Sequence, residues 1–302
     1  MFNPSVLGQA RLDALVEDTS SVYKNALYTR CSTPYSKALV TAREGVIYHI
    51  PAQNRRPSGA GGPIALNADT PTSEATTTGR NYKIRRYSNG RDYSEGLEGD
   101  ALFARVREQL LPMAAEKVTF DADCDFFQIV SGAGVLADSR NVTVSDQTDS
   151  EFDDDATDVL GILEDQIAIT GADFAYFSSD VALKMRKQAQ FKDLAGNGIS
   201  SRLSESVFAQ VLMDQLMLNE VVIGNRLYQN GSPFHAANLT LKASGIAYLG
   251  VKSNLLEIPW SPLEADEYRD ESKKMTTLRA EMHHDLVIAD PTLSVAFTNV
   301  LS

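Results

Sequence analysis

The thirty residues from Pro51 to Arg80, PAQNRRPSGAGGPIALNADTPTSEATTTGR, constrain the fold more than any other part of the chain. Only Ile64 and Leu66 among them are large and apolar. Ordering this many backbone units costs about 30 to 60 kcal/mol, whereas fully burying two aliphatic side chains returns only about 3 to 6 kcal/mol. The segment therefore cannot fold by itself. Either the surface of a partner holds it or it is disordered, and we expect the first, as in a protein that works within an assembly.

The composition is that of an ordinary globular chain, with 43% hydrophobic and 23% charged residues, and 302 residues allow one large or two ordinary domains. The N-terminus lacks a charged region followed by an apolar run, and no stretch approaches roughly eighteen continuous apolar residues. We therefore expect neither secretion nor membrane insertion. Cys31 and Cys124 are too few for a disulfide framework or a paired-cysteine metal site, so two reduced thiols are predicted.

Charge is distributed unevenly along the chain. Between Lys37 and Arg91 nine residues are basic and three are acidic, although the formal net charge of the whole chain is −12. A basic arm on one copy is complementary in charge to the acidic body of another copy. The arm of each subunit can therefore lie on the body of the next, a head-to-tail arrangement that closes rings. Nucleic acid is the rival partner, but a pI near 4.8 argues against a dedicated DNA or RNA binder.

Two strand-like pieces, Val46 to Ile50 and Tyr82 to Tyr87, flank the segment that cannot fold by itself. They are predicted to form the two legs of one long hairpin. At about 3.3 Å per residue, roughly fifteen residues on each leg reach some 50 Å at full extension, which exceeds the radius of a small domain. The hairpin is therefore long enough to reach a neighbouring molecule.

A long helix is predicted from Asp100, its N-cap, toward Val130, because apolar residues recur at spacings of three or four. They are Phe103, Val106, Leu110, Ala114, Val118, Ala122, Phe126 and Ile129. Pro112 interrupts this stripe, so a bend or break is expected near Leu110. The sequence SGAG at Ser131 to Gly134 ends the helix.

The remainder alternates strands and helices, which predicts an α+β fold. The predicted helices are Asp153 to Ala168, Ser179 to Gln190 and Ser204 to Leu216. The predicted strands are Phe174 to Phe177, Glu220 to Leu227, Ala247 to Val251, Thr276 to Met282, Asp285 to Ala289 and Ser294 to Val300.

This order of parts resembles a tailed-bacteriophage major capsid protein of the Hong Kong 97-type fold. A basic extended arm with a long hairpin precedes a long helix that ends in a glycine pair, and strand, helix, loop and helix follow. The strings DFAYFSSDVALKMRK (Asp173 to Lys187) and NEVVIGNRLYQNG (Asn219 to Gly231) contribute to the likeness. The resemblance covers nearly the whole chain.

The resemblance implies an N-terminal arm (1–45), an extended loop that overlaps an adjacent subunit (46–92), and a spine helix with strands of a peripheral domain (93–150). An axial domain around the capsomer axis (151–250) and return strands (251–302) would follow. Some members of the family crosslink through a lysine of the extended loop. Residues 51–80 contain no lysine, so isopeptide chemistry through that loop is not expected.

The function implied is a capsid subunit that forms pentamers and hexamers and closes an icosahedral shell around double-stranded DNA, which it contacts without reading its sequence. Scaffolding, portal and cement proteins are further expected partners, and no membrane is involved. The chain starts almost directly at its arm, which implies processing or a separate scaffold. The expected location is the virion capsid, assembled in the host cytoplasm. Two alternatives stay open, namely an encapsulin-like compartment shell and a soluble carboxylate-dependent hydrolase.

Catalytic and metal-binding motifs are weak in this sequence. One acidic run could hold a hard cation such as Ca²⁺; it consists of Asp146, Asp149, Glu151, Asp153, Asp154, Asp155 and Asp158. Counting an EF-hand loop from Asp149 places Asp154 and Leu160 where glycine and a carboxylate are needed. A solvated loop with charges at a helix N-terminus is therefore the favoured interpretation, and an adventitious or stabilising cation is the alternative. The adjacent His283 and His284 would face opposite sides of a strand and cannot bind one metal together.

Structural or surface roles are predicted for these two histidines and for the isolated His49 and His235. The glycine-rich pieces Ser58 to Gly62 and Gly196 to Ser200 lack a nucleotide-binding pattern and are predicted to be flexible turns. No catalytic residue, cofactor or metal is therefore expected.

The residues expected to contact adjacent subunits lie in and beside the extended loop. They are Arg55, Arg56, Ile64, Leu66, Arg85 and Arg86. The planar guanidinium of arginine is suited to bidentate pairing with carboxylates of a neighbour. A solvated surface is the alternative for the four arginines, because exposed ion pairs often contribute little.

Reversing the charge of the loop arginines tests their part in assembly. The double variant Arg55→Glu, Arg56→Glu is expected to impair shell assembly, since it replaces attraction to a neighbour's carboxylates by repulsion. Its far-ultraviolet circular dichroism should match that of the unaltered protein. Particle yield, counted by negative-stain microscopy, is the measurement. A particle yield equal to that of the unaltered protein would show that assembly does not depend on these two arginines.

Overall fold

The computed structural model describes residues 26–50, 77–94, 101–130, 140–143, 152–195, 203–224, 245–270, 272, 275–298 and 300–301. The helices are α1 (Leu27–Cys31), α2 (Ala101–Val130), α3 (Val159–Thr170), α4 (Ser179–Met185), α5 (Ala189–Leu194) and α6 (Glu205–Leu216). The strands are β1 (Thr33–Pro34), β2 (Glu44–His49), β3 (Thr78–Lys83), β4 (Arg85–Ser94), β5 (Arg140–Thr143), β6 (Phe174–Ser178), β7 (Glu220–Gly224), β8 (Ala247–Gly250), β9 (Leu255–Asp270), β10 (Met275–Ile288) and β11 (Ser294–Thr298).

The strands form three sheets. A four-stranded sheet has the order β1-β9-β10-β4, a five-stranded sheet has the order β5-β11-β8-β6-β7, and β2 pairs with β3 alone. In the four-stranded sheet β10 runs antiparallel to both β9 and β4, and in the five-stranded sheet β6 runs parallel to β7. The mixture of helices and strands confirms the predicted α+β class.

The long helix α2 packs on the four-stranded sheet and also reaches the five-stranded one. One face of β10 is buried at every second residue, including Ala280, Met282 and Ile288. The rings of Phe126 and Phe127 on α2 lie edge-on to Tyr176 of β6, with centroids 5.2 and 5.8 Å apart. A single core therefore joins both sheets through this helix.

A second core lies between the five-stranded sheet and the helices α3 to α6. Its largest side chains include Phe152, Phe177, Phe191, Phe208 and Phe297, and each is buried. Two rings from neighbouring helices, Phe191 and Phe208, meet edge to face at 5.2 Å. Aromatic contacts of this kind fix the helices on the sheet.

Several sequence predictions are confirmed. β2 and β3 pair antiparallel as the legs of a hairpin, and α2 runs to Val130 with the predicted apolar stripe buried from Ala114 onward. The helix α6 begins at Glu205, where the Ser204 hydroxyl accepts a hydrogen bond from the backbone N–H of Val207 at 3.4 Å. β6 matches its predicted range within one residue.

Other predictions are wrong in their bounds. α2 contains Pro112 within one continuous helix, so the chain does not break near Leu110. α3 begins at Val159 rather than Asp153, because the Asp158 side chain caps it by accepting from the backbone N–H of Gly161 at 3.0 Å.

The remaining differences concern segments that were divided or joined incorrectly. The helix predicted from Ser179 to Gln190 is two helices, separated at Gln188, whose side-chain amide donates to the carbonyl of Phe152 at 2.6 Å. The two strands predicted from Thr276 to Ala289 are one strand, β10. The predicted strand Tyr82 to Tyr87 is divided at Ile84 between β3 and β4.

Two neighbouring helix ends adopt the left-handed backbone conformation with different residues. Gly171 follows α3 with φ of 68°, and Met217 follows α6 with φ of 53° and a side chain that is 89% exposed. Met217→Gly should raise the free energy of unfolding by up to about 1 kcal/mol, because glycine adopts this conformation without strain. Gly171→Ala should lower it by about 1 kcal/mol. Urea denaturation of the unassembled subunit measures both, and equal effects of the two variants would contradict the expectation.

Candidate assembly interface

The hairpin of β2 and β3 has one face on the body of the chain and one face exposed. Ile47 and Tyr82 are buried in a cluster with residues of β9 and β10, whereas Val46 is 42% and Tyr48 71% exposed. Gly79 lies opposite Tyr48, and a Cβ atom there would come within 2.6 Å of Val46 Cγ1. The exposed apolar face therefore depends on glycine at that position.

A cluster of polar side chains fixes the root of the hairpin. The backbone N–H of Lys83 donates to Asp285 at 2.8 Å, and Arg85 Nη1 donates to Asp125 of α2 at 2.8 Å. The Tyr87 hydroxyl also donates to Asp125. Burial raises the pKa of Asp285 and that of Tyr87. These contacts tie the hairpin to the long helix and to β10, so its direction is set by the body of the chain.

A second polar network covers the outer face of the four-stranded sheet. Arg86 donates two hydrogen bonds to Glu281, at 2.8 and 2.7 Å, and Arg279 donates two to Asp266, at 3.1 and 2.6 Å. Arg279 and His283 also lie 3.5 and 3.2 Å from Glu281. The hydrogen bonds from Arg86 lower the pKa of Glu281. Bidentate pairs of this kind hold three adjacent strands together across the sheet.

A groove of about 790 Å³ lies between the hairpin and the body. Its apolar part is formed by Val46 of the hairpin, Ile129 of α2, and Leu286 and Ile288 of β10. Its charged residues are Glu44, Arg80, Lys83, Arg85, Asp125 and Asp285. An apolar floor with charges of both signs around it is suited to contact with another protein surface.

The residues predicted to contact adjacent subunits fall into two groups. Arg85 and Arg86 lie at the hairpin root and pair with carboxylates of their own chain. Arg55, Arg56, Ile64 and Leu66 lie outside the described residues, and contact with a neighbour remains a prediction for all six. Sequence reasoning missed Val46, Tyr48, Asp125 and Asp285. The alternation in Val46 to Ile50 was the available signal for the first two.

The acidic run takes part in local contacts. Asp153 accepts a hydrogen bond from Lys184 at 3.0 Å, and Asp154 accepts one from the backbone N–H of Ala156 at 3.0 Å. Within the described ranges, no group of three or more histidine, cysteine, aspartate or glutamate side chains is arranged to hold a metal ion. The helices of the described part are too short or too polar to cross a membrane.

The adjacent histidines of β10 face opposite sides, as predicted. His283 lies on the outer face, where its Nδ1 is 2.9 Å from the Ser261 hydroxyl. His284 is 2% exposed and packs against the rings of Tyr28 and Tyr87, at 4.6 and 5.0 Å between centroids. Burial, together with the charge of Arg85, lowers the pKa of His284 to about 3.

Comparison with solved structures gives the fold. A phage-related protein from Bordetella bronchiseptica matches with a TM-score of 0.62 and 11% identity over 93% of this chain and 95% of that chain. The mature capsid of bacteriophage PhiM1 matches at 0.55 and 11%, over 92% and 88%. The virus-like particle from Pyrococcus furiosus matches at 0.59 and 10%, over 95% and 98%. Protein-family models and curated proteins give no match. The chain therefore has the Hong Kong 97-type fold of phage capsid proteins.

Acid should destabilise the subunit through His284. The unfolded chain binds a proton at this residue below its ordinary pKa of 6.5, whereas the folded chain does so only near 3. The stability is therefore complete above pH 6.5 and falls as the pH is lowered toward 3, by about 2 kcal/mol at pH 5.

His284→Phe keeps a ring between the two tyrosines and removes this proton. We expect it to flatten the dependence of unfolding free energy on pH between 7 and 5, as measured by urea denaturation of the unassembled subunit. The control His283→Phe retains His284 and should keep the acid sensitivity. An unchanged slope in His284→Phe would refute this assignment.

Proposed function

We propose that the chain is the major capsid protein of a tailed bacteriophage, which self-assembles into pentamers and hexamers of an icosahedral shell that encloses double-stranded DNA. The observation that carries the proposal is the match of the fold over about nine tenths of the chain to solved capsid chains, among them the PhiM1 mature capsid. The proposed role is structural.

The hairpin supports assembly by interlocking. A two-stranded sheet is marginally stable alone, and this one leaves Val46 and Tyr48 partly exposed, with Val46 facing the open groove. The surface of a neighbouring copy placed against this face would bury both side chains. The hairpin and the surface that receives it are two different surfaces of the same subunit. The contact is therefore head to tail, and it closes a ring when the rotation between copies is regular.

The arginines divide between two tasks in this proposal. Arg85 and Arg86 hold the hairpin root on its own chain through Asp125 and Glu281. Contact with the adjacent subunit then falls chiefly to the loop residues, Arg55, Arg56, Ile64 and Leu66.

The charge of the chain suits containment of DNA without recognition of its sequence. A formal net charge of −12 disfavours strong binding of a polyanion, so contacts with packaged DNA are weak, non-specific and dependent on salt. We place the protein in the virion capsid, assembled in the host cytoplasm. Scaffolding, portal and cement proteins are its proposed further partners.

The encapsulin-like compartment shell is not favoured over the phage capsid. The virus-like particle from Pyrococcus furiosus shares the fold over 95% of this chain, a likeness that gives the fold and not the contents of the particle. Analysis of the contents of purified particles distinguishes the two, since DNA supports the phage capsid and a protein cargo supports the compartment.

The carboxylate-dependent hydrolase is not favoured. Asp285, a carboxylate with a raised pKa, accepts a hydrogen bond from Lys83 and lies 3.9 Å from Arg85, where it fixes the hairpin root.

A matched pair of variants tests the hairpin in assembly. Val46 and Leu194 are both 42% exposed, but only Val46 lies on the hairpin. Val46→Asp should weaken each subunit contact by about 2 kcal/mol or more, which corresponds to roughly thirtyfold in affinity, because it places a charge against an apolar neighbour.

We expect uniform hollow particles from the unaltered protein and from Leu194→Asp, and small soluble species from Val46→Asp, with the same circular dichroism in all three. Negative-stain microscopy and gel filtration are the measurements. Equal assembly by both variants, or equal loss in both, would exclude the hairpin face from the contact. A monodisperse 33.0 kDa species of the unaltered protein at high concentration would contradict the shell itself.

A further inference from the structure

A small cavity lies at the edge of the four-stranded sheet, where β1 ends beside β9. Its volume is about 290 Å³. Pro259, Trp260, Pro262 and Met282 supply its apolar walls. An apolar cavity of roughly 150 Å³ is already large enough to bind a benzene ring. This cavity can therefore hold one aromatic ring without rearrangement of its walls.

The imidazole of His284 is a polar group that this cavity leaves unsatisfied. His284 lines the cavity and is 2% exposed, and neither of its ring nitrogens has a hydrogen-bond partner among the described residues. The carboxylate of Glu257 lies 3.7 Å from Nδ1, which is too far for a hydrogen bond. The hydroxyl of Ser261, also in the wall, lies 2.9 Å from Nδ1 of His283. Because a buried polar group without a partner is costly, a ligand that hydrogen-bonds His284 would gain free energy.

The charges around the cavity favour a neutral ligand. Lys37 lines it, and the guanidinium of Arg43 lies 5.8 Å from the centre of the tryptophan ring in the wall. The charge of Arg85 also acts on His284 and lowers its pKa. These three positive groups disfavour a cation, and the carboxylate of Glu257 disfavours an anion. The ligand class that fits is therefore uncharged.

A phenol group meets these requirements. Its ring suits walls of tryptophan, proline and methionine, and its hydroxyl both donates and accepts, so it can pair with a neutral imidazole in either tautomer. We propose that the cavity receives the side chain of Tyr48 from a second copy of the chain, with the Tyr48 hydroxyl hydrogen-bonded to His284. This contact rests on the proposed function, since it identifies the surface that receives the hairpin of a neighbour.

Tyr48 is placed to leave its own chain. It is 71% exposed on β2, a larger exposed fraction than that of any other aromatic side chain among the described residues. Its partner on β3 is Gly79, so no Cβ atom on the opposite strand crowds the ring. A tyrosine that enters a pocket on a partner buries a large rigid ring at a small cost in rotamer entropy. The hairpin and the cavity are different surfaces, so the contact is head to tail.

The cavity can be tested on the unassembled full-length subunit with p-cresol, which is the side chain of tyrosine as a free molecule. Isothermal titration calorimetry should show that p-cresol binds about fivefold more tightly than toluene, which has the same ring and methyl group but no hydroxyl. His284→Phe should abolish this preference. His283→Phe is the matched control and should keep it, because His283 lies on the outer face of the sheet. Equal binding of p-cresol and toluene by the unaltered protein would overturn the proposal.

The identity of the tyrosine is tested by assembly. Tyr48→Phe keeps the ring and removes the hydroxyl, so it should raise the protein concentration needed for assembly by about fivefold or more, as measured by light scattering. Tyr268→Phe is the matched control, because Tyr268 is 51% exposed on β9 and should assemble like the unaltered protein.

The outcomes separate this contact from the proposed function. Particles from the unaltered protein, together with equal threshold concentrations for Tyr48→Phe and Tyr268→Phe, would overturn the contact alone. Failure of the unaltered protein to form particles would contradict the proposed function and the contact with it.

Discussion

The packing of Phe126 and Phe127 against Tyr176 is the contact on which the rest of the structure depends. It joins the long helix to the five-stranded sheet while the same helix lies on the four-stranded sheet. Asp125, the residue before Phe126, is thereby held where Arg85 and Tyr87 reach it. The aromatic core thus determines the direction of the hairpin, although the buried residues of β2 and β3 belong to a separate cluster.

The charged side chains around the hairpin root pair within the chain, whereas the apolar side chains of the hairpin face are exposed to a second copy. The arginines of the hairpin root and outer sheet face pair with carboxylates of their own chain, so much of the local basic charge is already neutralised. The apolar side chains of Val46 and Tyr48 remain exposed. Desolvation of apolar surface then supplies the attraction between copies, and charge supplies orientation and selectivity.

Periodic segments could be predicted from the sequence, and segments decided by tertiary contacts could not. The apolar stripe of α2 and the buried strand β6 follow from local pattern alone. β9 was missed because Pro259 and Pro262 argue against a central strand. Its position beside the short β1, at an edge where a missing N–H is tolerated, explains why both prolines are accepted.

The candidate site shows the same limit. Arg85 and Arg86 were predicted to pair with carboxylates of a neighbour. In the structure they pair with Asp125 and Glu281 of their own chain, which are 40 and 195 residues away in sequence and so give no local signal. Strand geometry predicts that His283 and His284 face opposite sides. It does not predict that His284 is the buried one, because that depends on packing against the rings of Tyr28 and Tyr87.

A shell built in this way needs contacts that are individually weak. Subunits that carry net negative charge repel one another at long range, and this repulsion is screened within about 10 Å at ordinary ionic strength. Small apolar contacts such as those of Val46 and Tyr48 act only at close approach, so a misplaced subunit can dissociate before the shell closes. Tight binding at each hairpin would trap errors instead. The modest size of the exposed apolar face is therefore compatible with accurate assembly, because stability arises from the number of copies and not from the strength of any one contact.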